Sequence, residues 1–313
     1  MTENRKLLDF ISEKLALDAD APELPAKLYL CATPIGNLGD ITLRTIATLA
    51  GVKRIYCEDT RSTLKLLNAL GIKKPLESCH EHNEKARAER IADEVASGEA
   101  VAFVSDAGMP GVSDPGAALI ARFIERELPF EVQPGASAMT TAWIMSGLDT
   151  QSLLFIGFLP RSGAQRRQCI EKLASSAQTV CIYESPLRVG ATLDEIAAAI
   201  DSAGGDASAR PCALVRELTK AFEQCVRGSV RALAERFAAE PPKGECVLLF
   251  GAAENEAAGG ENGKLDALLN ALLSEGVSVK SAARIASEAL DMPKNAAYKR
   301  AMELNGVGDF KKA

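Results

Sequence analysis

The chain has 313 residues, of which 47% are hydrophobic and 25% charged, and a formal net charge of −6. This composition is ordinary for a soluble globular protein, and the length suggests about two domains. No apolar run nears the ~20 residues a membrane helix needs. Net acidity also excludes a generic electrostatic binder of nucleic acid, so any such contact has to be a local patch.

In chain order, residues 1–26 lack the apolar core and small-residue cleavage site of a secretory signal and are expected to form a tail or loose amphipathic helix. From Leu28 short apolar runs alternate with helical stretches: LYLCA, TLRTIATLA, VKRIYCE, TLKLLNAL, PLESC, EKARAERIADEVASG, AVAFV, AALIARFIERE, FEVQ and the helix after PGASA. Continuous apolar strands between helices predict a mostly parallel sheet covered on both faces. A second α/β series follows DTQS, with LLFIGFLP, TVCIYE, CALVREL, EQCVRG and GECVLLF as strands. The divisions expected are a tail over 1–26, α/β domains over 27–149 and 150–252, a Gly-rich linker over 253–263 and a helical, helix-turn-helix-like extension over 264–313.

Eight cysteines lie at 31, 57, 79, 169, 181, 212, 225 and 246 with no C-x-x-C pair. Several fall inside apolar strands, which reads as small buried hydrophobes in a reducing compartment, the cytoplasm. Cys79, His80 and His82 are close together, but a zinc site normally recruits a second segment and no second Cys/His cluster exists. No metal is therefore expected, and Asn83 is expected near a helix start.

Four loops fall at the carboxyl ends of strands: TPIGNLGD (33–40), EDTR (58–61), SDAGMPGVSDPG (105–116) and QPGASA (133–138). In an open α/β sheet ligands bind beyond those ends. The third loop is no phosphate cradle, because no Lys follows its glycines and Asp106 and Asp114 would repel phosphate. The first lacks G-x-G-x-x-G, and no G-x-S-x-G occurs. Asp114-Pro115 is read as the start of the next helix. Arg161, Arg166, Arg167 and Lys172 form a basic cluster, and Trp143 reads as a core residue.

TPIGNLGDITLR, EDTR, HEHNE, VSDAGMPGVSDPG, PGASA, GFLPR, YESP, RELTK and KGE occur in the order and spacing of one family. On these residues, roughly Leu28 to Phe250, the chain resembles the small-subunit ribosomal RNA methyltransferases of the tetrapyrrole-methylase superfamily. The resemblance implies two α/β domains with S-adenosylmethionine in the cleft between them, S-adenosylhomocysteine as product, and homodimers. It implies methylation of the ribose 2′-hydroxyl of a decoding-centre cytidine in 16S rRNA of the small ribosomal subunit. Relatives with this fold methylate tetrapyrrole carbons or a diphthine precursor, and tend to carry G-x-G-P-G-D where this chain has TPIGNLGD. A C-methyltransferase of corrin or sirohaem synthesis is the alternative, and a non-catalytic RNA-binding factor a third reading.

Carried onto this chain, the resemblance implies a cofactor pocket formed by Pro34, Gly36, Asp106, Gly108, Met109, Gly111, Gly135, Ala136, Ser137, Tyr183 and Glu184. A ribose hydroxyl is weakly acidic, so a nearby Lys, Arg or carboxylate can assist its deprotonation. The candidates are Glu58, Asp59, Arg61 and Lys220. Asp59 has a helix-capping role as its competing reading, and Lys220 an ion pair. Leu187 stands where many members have His, and Met109 where Thr is usual.

Overall fold

The computed structural model describes residues 24–253 and 260–305. Residues 1–23 of the expected tail (1–26), residues 254–259 of the expected linker (253–263) and the last residues (306–313) lie outside the described residues.

The first sheet contains β1 (Leu28–Cys31), β2 (Arg54–Cys57), β3 (Leu76–Ser78), β4 (Val101–Val104) and β5 (Phe130–Gln133). Its order is β3-β2-β4-β1-β5 with every pairing parallel, Leu28 lying opposite both Val101 and Phe130. Helices α1 (Leu43–Gly51) and α2 (Thr60–Ala69) follow β1 and β2, while α3 (Glu84–Ala96) and α4 (Ala117–Glu125) follow β3 and β4. Leu49 and Leu67 of the first pair pack on the face of Tyr29, Cys31, Ile55 and Cys57. Ile91, Val95, Leu119 and Phe123 of the second pair cover the opposite face, on Leu28, Leu30, Tyr56 and Phe103. Both faces are apolar because both are covered, which is why these strands read as unbroken hydrophobic runs. The neighbours β1 and β4 send their connections to opposite faces, so the sheet's switch point lies between them.

The second sheet holds β6 (Leu153–Phe158), β7 (Thr179–Glu184), β8 (Pro211–Arg216), β9 (Gln224–Ser229) and β10 (Cys246–Phe250), in the order β6-β7-β10-β8-β9. Only β6 and β7 are parallel. Helices α6 (Gly163–Ala174), α7 (Val189–Ser202) and α8 (Val230–Ala239) pack on one face around Val180, Ile182, Leu214, Leu248 and Phe250.

The other face is covered from the first half of the chain. Helix α5 (Ala138–Ser146), which follows β5, places Ala142, Met139 and Trp143 against Cys181, Val215, Val247 and Leu249. Gly147, in the left-handed region at φ 72°, stops it. Arg227 of β9 then donates to the carbonyl of Ser146 at 2.8 Å and to that of Met145. A cation on helix-terminal carbonyls is favourable, and it locks α5 to the second sheet. Together these elements make two α/β layers with a cleft between them.

Helices α9 (Gly260–Ser274), α10 (Val279–Ala289) and α11 (Lys294–Leu304) have a core of their own built on Leu265, Leu269, Ala282, Ala283, Ala286, Ala297 and Ala301. Ser278 caps α10 by accepting from the amide of Ser281. Helix α9 starts at Gly260 rather than at the expected Lys264. No described helix is long and apolar enough to cross a membrane.

Candidate active site

The loops that leave β1 and β4 are joined to each other. Thr33 and Gly108 exchange backbone hydrogen bonds at 2.9 and 3.0 Å, and the Thr33 hydroxyl donates to the carbonyl of Ser105. Gly108 can do this at φ 83°, a conformation open to glycine because it has no side chain. Further along, Gly116 at φ 141° lies so close to Gly111 that a Cβ would sit 2.9 Å from its amide nitrogen. The buried carboxylate of Glu84 accepts from the amides of Gly116 and Leu119 at 2.9 and 3.0 Å. Glu84, from the HEHNE stretch, thus caps α4 from a neighbouring helix. The helix starts at Ala117 after Gly116, two residues beyond the expected Asp114-Pro115 start.

A cavity of about 350 Å³ opens between the two sheets, on one side of this bridge. Of the residues expected in a cofactor pocket, Gly108, Met109, Ser137, Tyr183 and Glu184 line it. So do residues the sequence reading did not single out: Ile35, Asp114, Phe158, Leu218 and the segment Gly244–Val247. Tyr183 packs edge-on between Phe155 and Phe158, with ring centroids 5.1 and 5.5 Å away, and burial pushes its hydroxyl up to about 12. The Glu184 carboxylate is fully buried and satisfied: it accepts from the Ser185 amide (2.7 Å), the Thr192 hydroxyl (2.8 Å) and Arg188 (2.6 Å). It is a fixed wall rather than a free acceptor. Asp114, whose role was read as purely structural, faces the cavity, and burial with Glu58 and Asp106 nearby pushes its carboxyl up to about 6.

A second hollow of about 190 Å³ lies beside the first. Pro34, Gly36 and Asp106 line this one, together with Leu38, Ser62, Thr63 and Ser105. The expected pocket set is therefore divided between two neighbouring cavities. Gly111 and Gly135 line neither; Gly135 has Ala32 so close that a Cβ would approach to 2.6 Å, a strand-packing role. Ala136 packs in the apolar cluster beneath α5.

Among the four candidates for proton transfer, Glu58 lies at the end of β2, where burial raises its carboxyl. Asp59 caps α2 through the Arg61 amide (2.8 Å) and is paired with the Arg61 guanidinium (2.8 Å), which holds it down at about 2. Its own amide donates to Asp106 at 3.2 Å. Lys220 is paired with Glu217 and Glu245, each at 2.9 Å. The aliphatic part of Lys220 rests on Gly36, where a Cβ would come within 2.5 Å of Cγ. Gly36 thus lets the loop after β1 meet the loop after β8, closing one side of the cleft.

Two other expectations change. Arg166 of the basic cluster is buried, paired through two nitrogens with Glu195 at 2.8 and 3.1 Å, and donates to Thr192 and the Pro160 carbonyl. It braces α6 against α7, leaving Arg161, Arg167 and Lys172 at the surface. Trp143 is half-buried, its indole nitrogen donating to the carbonyl of Asp149 at 2.9 Å. Cys79 is buried and its thiol is pushed up to about 12, while Asn83 closes the turn by accepting from the His80 amide. No His/Cys/Asp/Glu group arranged to hold a metal occurs among the described residues.

Two sheets joined through α5, with a cavity at the switch point of the first, make a two-domain α/β architecture with a ligand-sized cleft. The chain belongs to the tetrapyrrole (corrin/porphyrin) methylase family, which it matches over residues 27–234. Residues 259–305 match the RsmI C-terminal HTH domain. The chain is 41% identical over 299 residues to the ribosomal RNA small subunit methyltransferase I of Mesorhizobium japonicum, covering 92% of this chain and 98% of that one. It is 37% identical to the protein of the same name from Synechocystis, covering 90% and 99%. In fold it is similar to a uroporphyrin-III C-methyl transferase from Thermus thermophilus complexed with S-adenyl homocysteine. That likeness has a TM-score of 0.53 at 16% identity and covers 72% of this chain and 97% of that one.

Proposed function

We propose that this protein transfers a methyl group from S-adenosylmethionine to the ribose 2′-hydroxyl of a decoding-centre cytidine in 16S rRNA, within the small ribosomal subunit. The observation that carries this reading is the 41% identity extending over 98% of a curated small-subunit rRNA methyltransferase.

The cavity between the sheets suits the donor. Pockets for ligands of this size are mostly apolar with a few convergent polar groups. Here Ile35, Met109, Val112 and Val247 offer apolar walls, while Ser137 and backbone groups offer hydrogen-bond partners for a ribose diol and an amino-acid tail. When bound, the donor supplies an electrophilic methyl group on a sulfonium sulfur. The remaining work falls to the chain's own groups, which hold the acceptor oxygen in line and shield the reaction from water. We assign Gly108, Met109, Ser137, Tyr183 and Glu184 to the donor side. Pro34, Gly36 and Asp106, on the neighbouring hollow, belong to the acceptor side, which meets the donor cavity where Asp106 comes close to Asp114.

An RNA acceptor is supported by the surface around the cleft. Phe158 at the end of β6, Leu187 in the turn after β7 and Phe222 in the loop after β8 are 56%, 83% and 74% exposed, and apolar side chains so placed can stack on unpaired bases. Arg161, Arg167 and Lys172 are exposed on the same half of the chain. Lys280, Lys294 and Lys299 of the helical extension form no ion pair among the described residues. We further propose a cytoplasmic homodimer. The edge strand β5 and α4 expose Phe130, Val132 and Ile124, an apolar strip that a second copy can cover.

Labelled S-adenosylmethionine incubated with small subunits, free 16S rRNA and a uroporphyrinogen tests the reading. Label in rRNA that makes one backbone position resistant to alkaline cleavage is the expected result. Label on a base, or only on the tetrapyrrole, would sink it. Light scattering of the purified protein checks the dimer.

A further inference from the structure

Three carboxylates border the main cavity: Asp114, Glu184 and Glu245. Glu184 has its lone pairs taken by Ser185, Thr192 and Arg188. Glu245 is mostly exposed and paired with Lys220. Asp114 alone of the three has no ion pair among the described residues. Its polar neighbours are Ser105, placed to hydrogen-bond its side chain, with Glu58 at the end of β2 and Asp106 at the end of β4.

The segment carrying Asp114 is held from both ends. Ser113 sits at φ 62°, a conformation uncommon for a residue with a side chain. Its hydroxyl lies 2.7 Å from where a Cβ on Gly157 would be, so the glycine at the β6 bulge makes room for the loop to cross onto the second sheet. On the other side Gly116 is fixed by the Glu84 carboxylate. Strain and over-determination of this kind concentrate at functional sites.

We propose that Asp114 is the proton acceptor for the hydroxyl that is methylated. The proposal rests on the reading above that the acceptor group is a hydroxyl. In the step, the hydroxyl oxygen forms a bond to the methyl carbon, and the carbon–sulfur bond breaks with its electron pair going to sulfur. The O–H proton passes to the Asp114 carboxylate and from there to water.

The groups facing Asp114 explain its basicity. Glu58 and Asp106 are carboxylates, Tyr183 and Glu184 line the same cavity from β7, and Glu245 borders it ahead of β10. The nearby cations are each engaged elsewhere: Arg61 with Asp59, Arg188 with Glu184, Lys220 with Glu217 and Glu245. His80 lies nearer to Glu58. With like charges around it and no cation on it, the carboxyl titrates at about 6 and is ionised, ready to accept, at neutral pH.

Asp114→Asn and Asp114→Glu, compared with the wild type, test this in three measurements. Loss of a general base typically lowers turnover about 10²–10⁴-fold. Asp114→Asn is expected to show such a loss on small subunits, with Asp114→Glu recovering part of it. Calorimetry with S-adenosylhomocysteine is expected to give affinities within about threefold of wild type, less than 1 kcal/mol. In the unliganded protein, carboxyl ¹³C NMR is expected to show one aspartate titrating near 6 that is missing from Asp114→Asn. The rising limb of the wild-type pH profile at that pH is expected to vanish with it. Asp114→Asn at full turnover, an unchanged acidic limb, or loss of S-adenosylhomocysteine binding would each overturn the proposal. If the wild type itself methylates no hydroxyl, the broader reading fails and the proposal with it, whatever the variants do.

Discussion

Asp114 carries opposite consequences for chemistry and for stability. Its carboxyl, at about 6, lies above the ordinary aspartate value of 3.8, so the folded state favours the neutral form. The stability this contributes is complete below about 3.8 and is lost as pH rises through about 6. Asparagine cannot ionise, so Asp114→Asn is expected to be more stable than wild type at pH 8 by roughly 1–3 kcal/mol and little different at pH 4. Thermal unfolding at the two pH values checks this; equal shifts at both would contradict it. Gly36 is a second residue whose role is spatial. A methyl group there meets Lys220, Thr219 and the Leu218 carbonyl, so Gly36→Ala is expected to pry apart the loops after β1 and β8. Overpacking of this kind costs about 1–3 kcal/mol, and the expected readout is a donor affinity weakened about tenfold or more, measured by calorimetry.

At the scale of elements, Glu84 joins α3 to α4. Buried and accepting two amides at the start of α4, it supplies charge-assisted hydrogen bonds of a kind worth roughly 1.5–3 kcal/mol. Glu84→Ala is expected to destabilise the first sheet's domain by about that amount and to loosen the 105–116 loop, measurable as faster amide exchange at Gly116 and Leu119. Helices α7 and α8 show the same dependence on close approach. A Cβ on Gly190 would lie 2.8 Å from the Phe237 carbonyl oxygen, so Gly190→Ala is expected to cost about 1–3 kcal/mol in denaturant unfolding. These contacts were not legible in the sequence. Glu84 reads as an ordinary acidic residue of a helix start, and Gly190 as a weak helix former, because their partners lie about 30 to 50 residues away.

For the molecule as a whole, α5 decides the architecture. It belongs by sequence to the first α/β series and by packing to the second, and Arg227 holds its end. The cleft is thereby pinned on one side by α5 and on the others by Gly36 against Lys220 and Ser113 against Gly157. The helical extension, in contrast, has a separate core. Removing residues 254–313 is expected to leave S-adenosylhomocysteine affinity within about threefold of the full chain, while methylation of small subunits falls. Calorimetry and the labelled-methyl assay check the two halves of that statement.

The alternation of strands and helices, the parallel first sheet, the Gly-rich loops and their closeness to one another were all readable in the residues. Each follows from local periodicity, turn chemistry and the rule that parallel strands expose their carboxyl ends together. The resemblance carried by TPIGNLGD, SDAGMPGVSDPG and YESP likewise needed only the order of residues. What the residues did not reveal was which cavity each loop residue faces. Pro34, Gly36 and Asp106 read as partners of Gly108 and Met109, yet the Thr33–Gly108 bridge separates them. Arg166 read as part of a basic surface, and Asp114 as a helix start. Only the packed structure turned the first inward onto Glu195 and the second toward the cleft. The physical reason is that burial and the neighbouring charges are set by elements far apart in sequence, and those two quantities decide whether a charged side chain is a strut, a surface or a base.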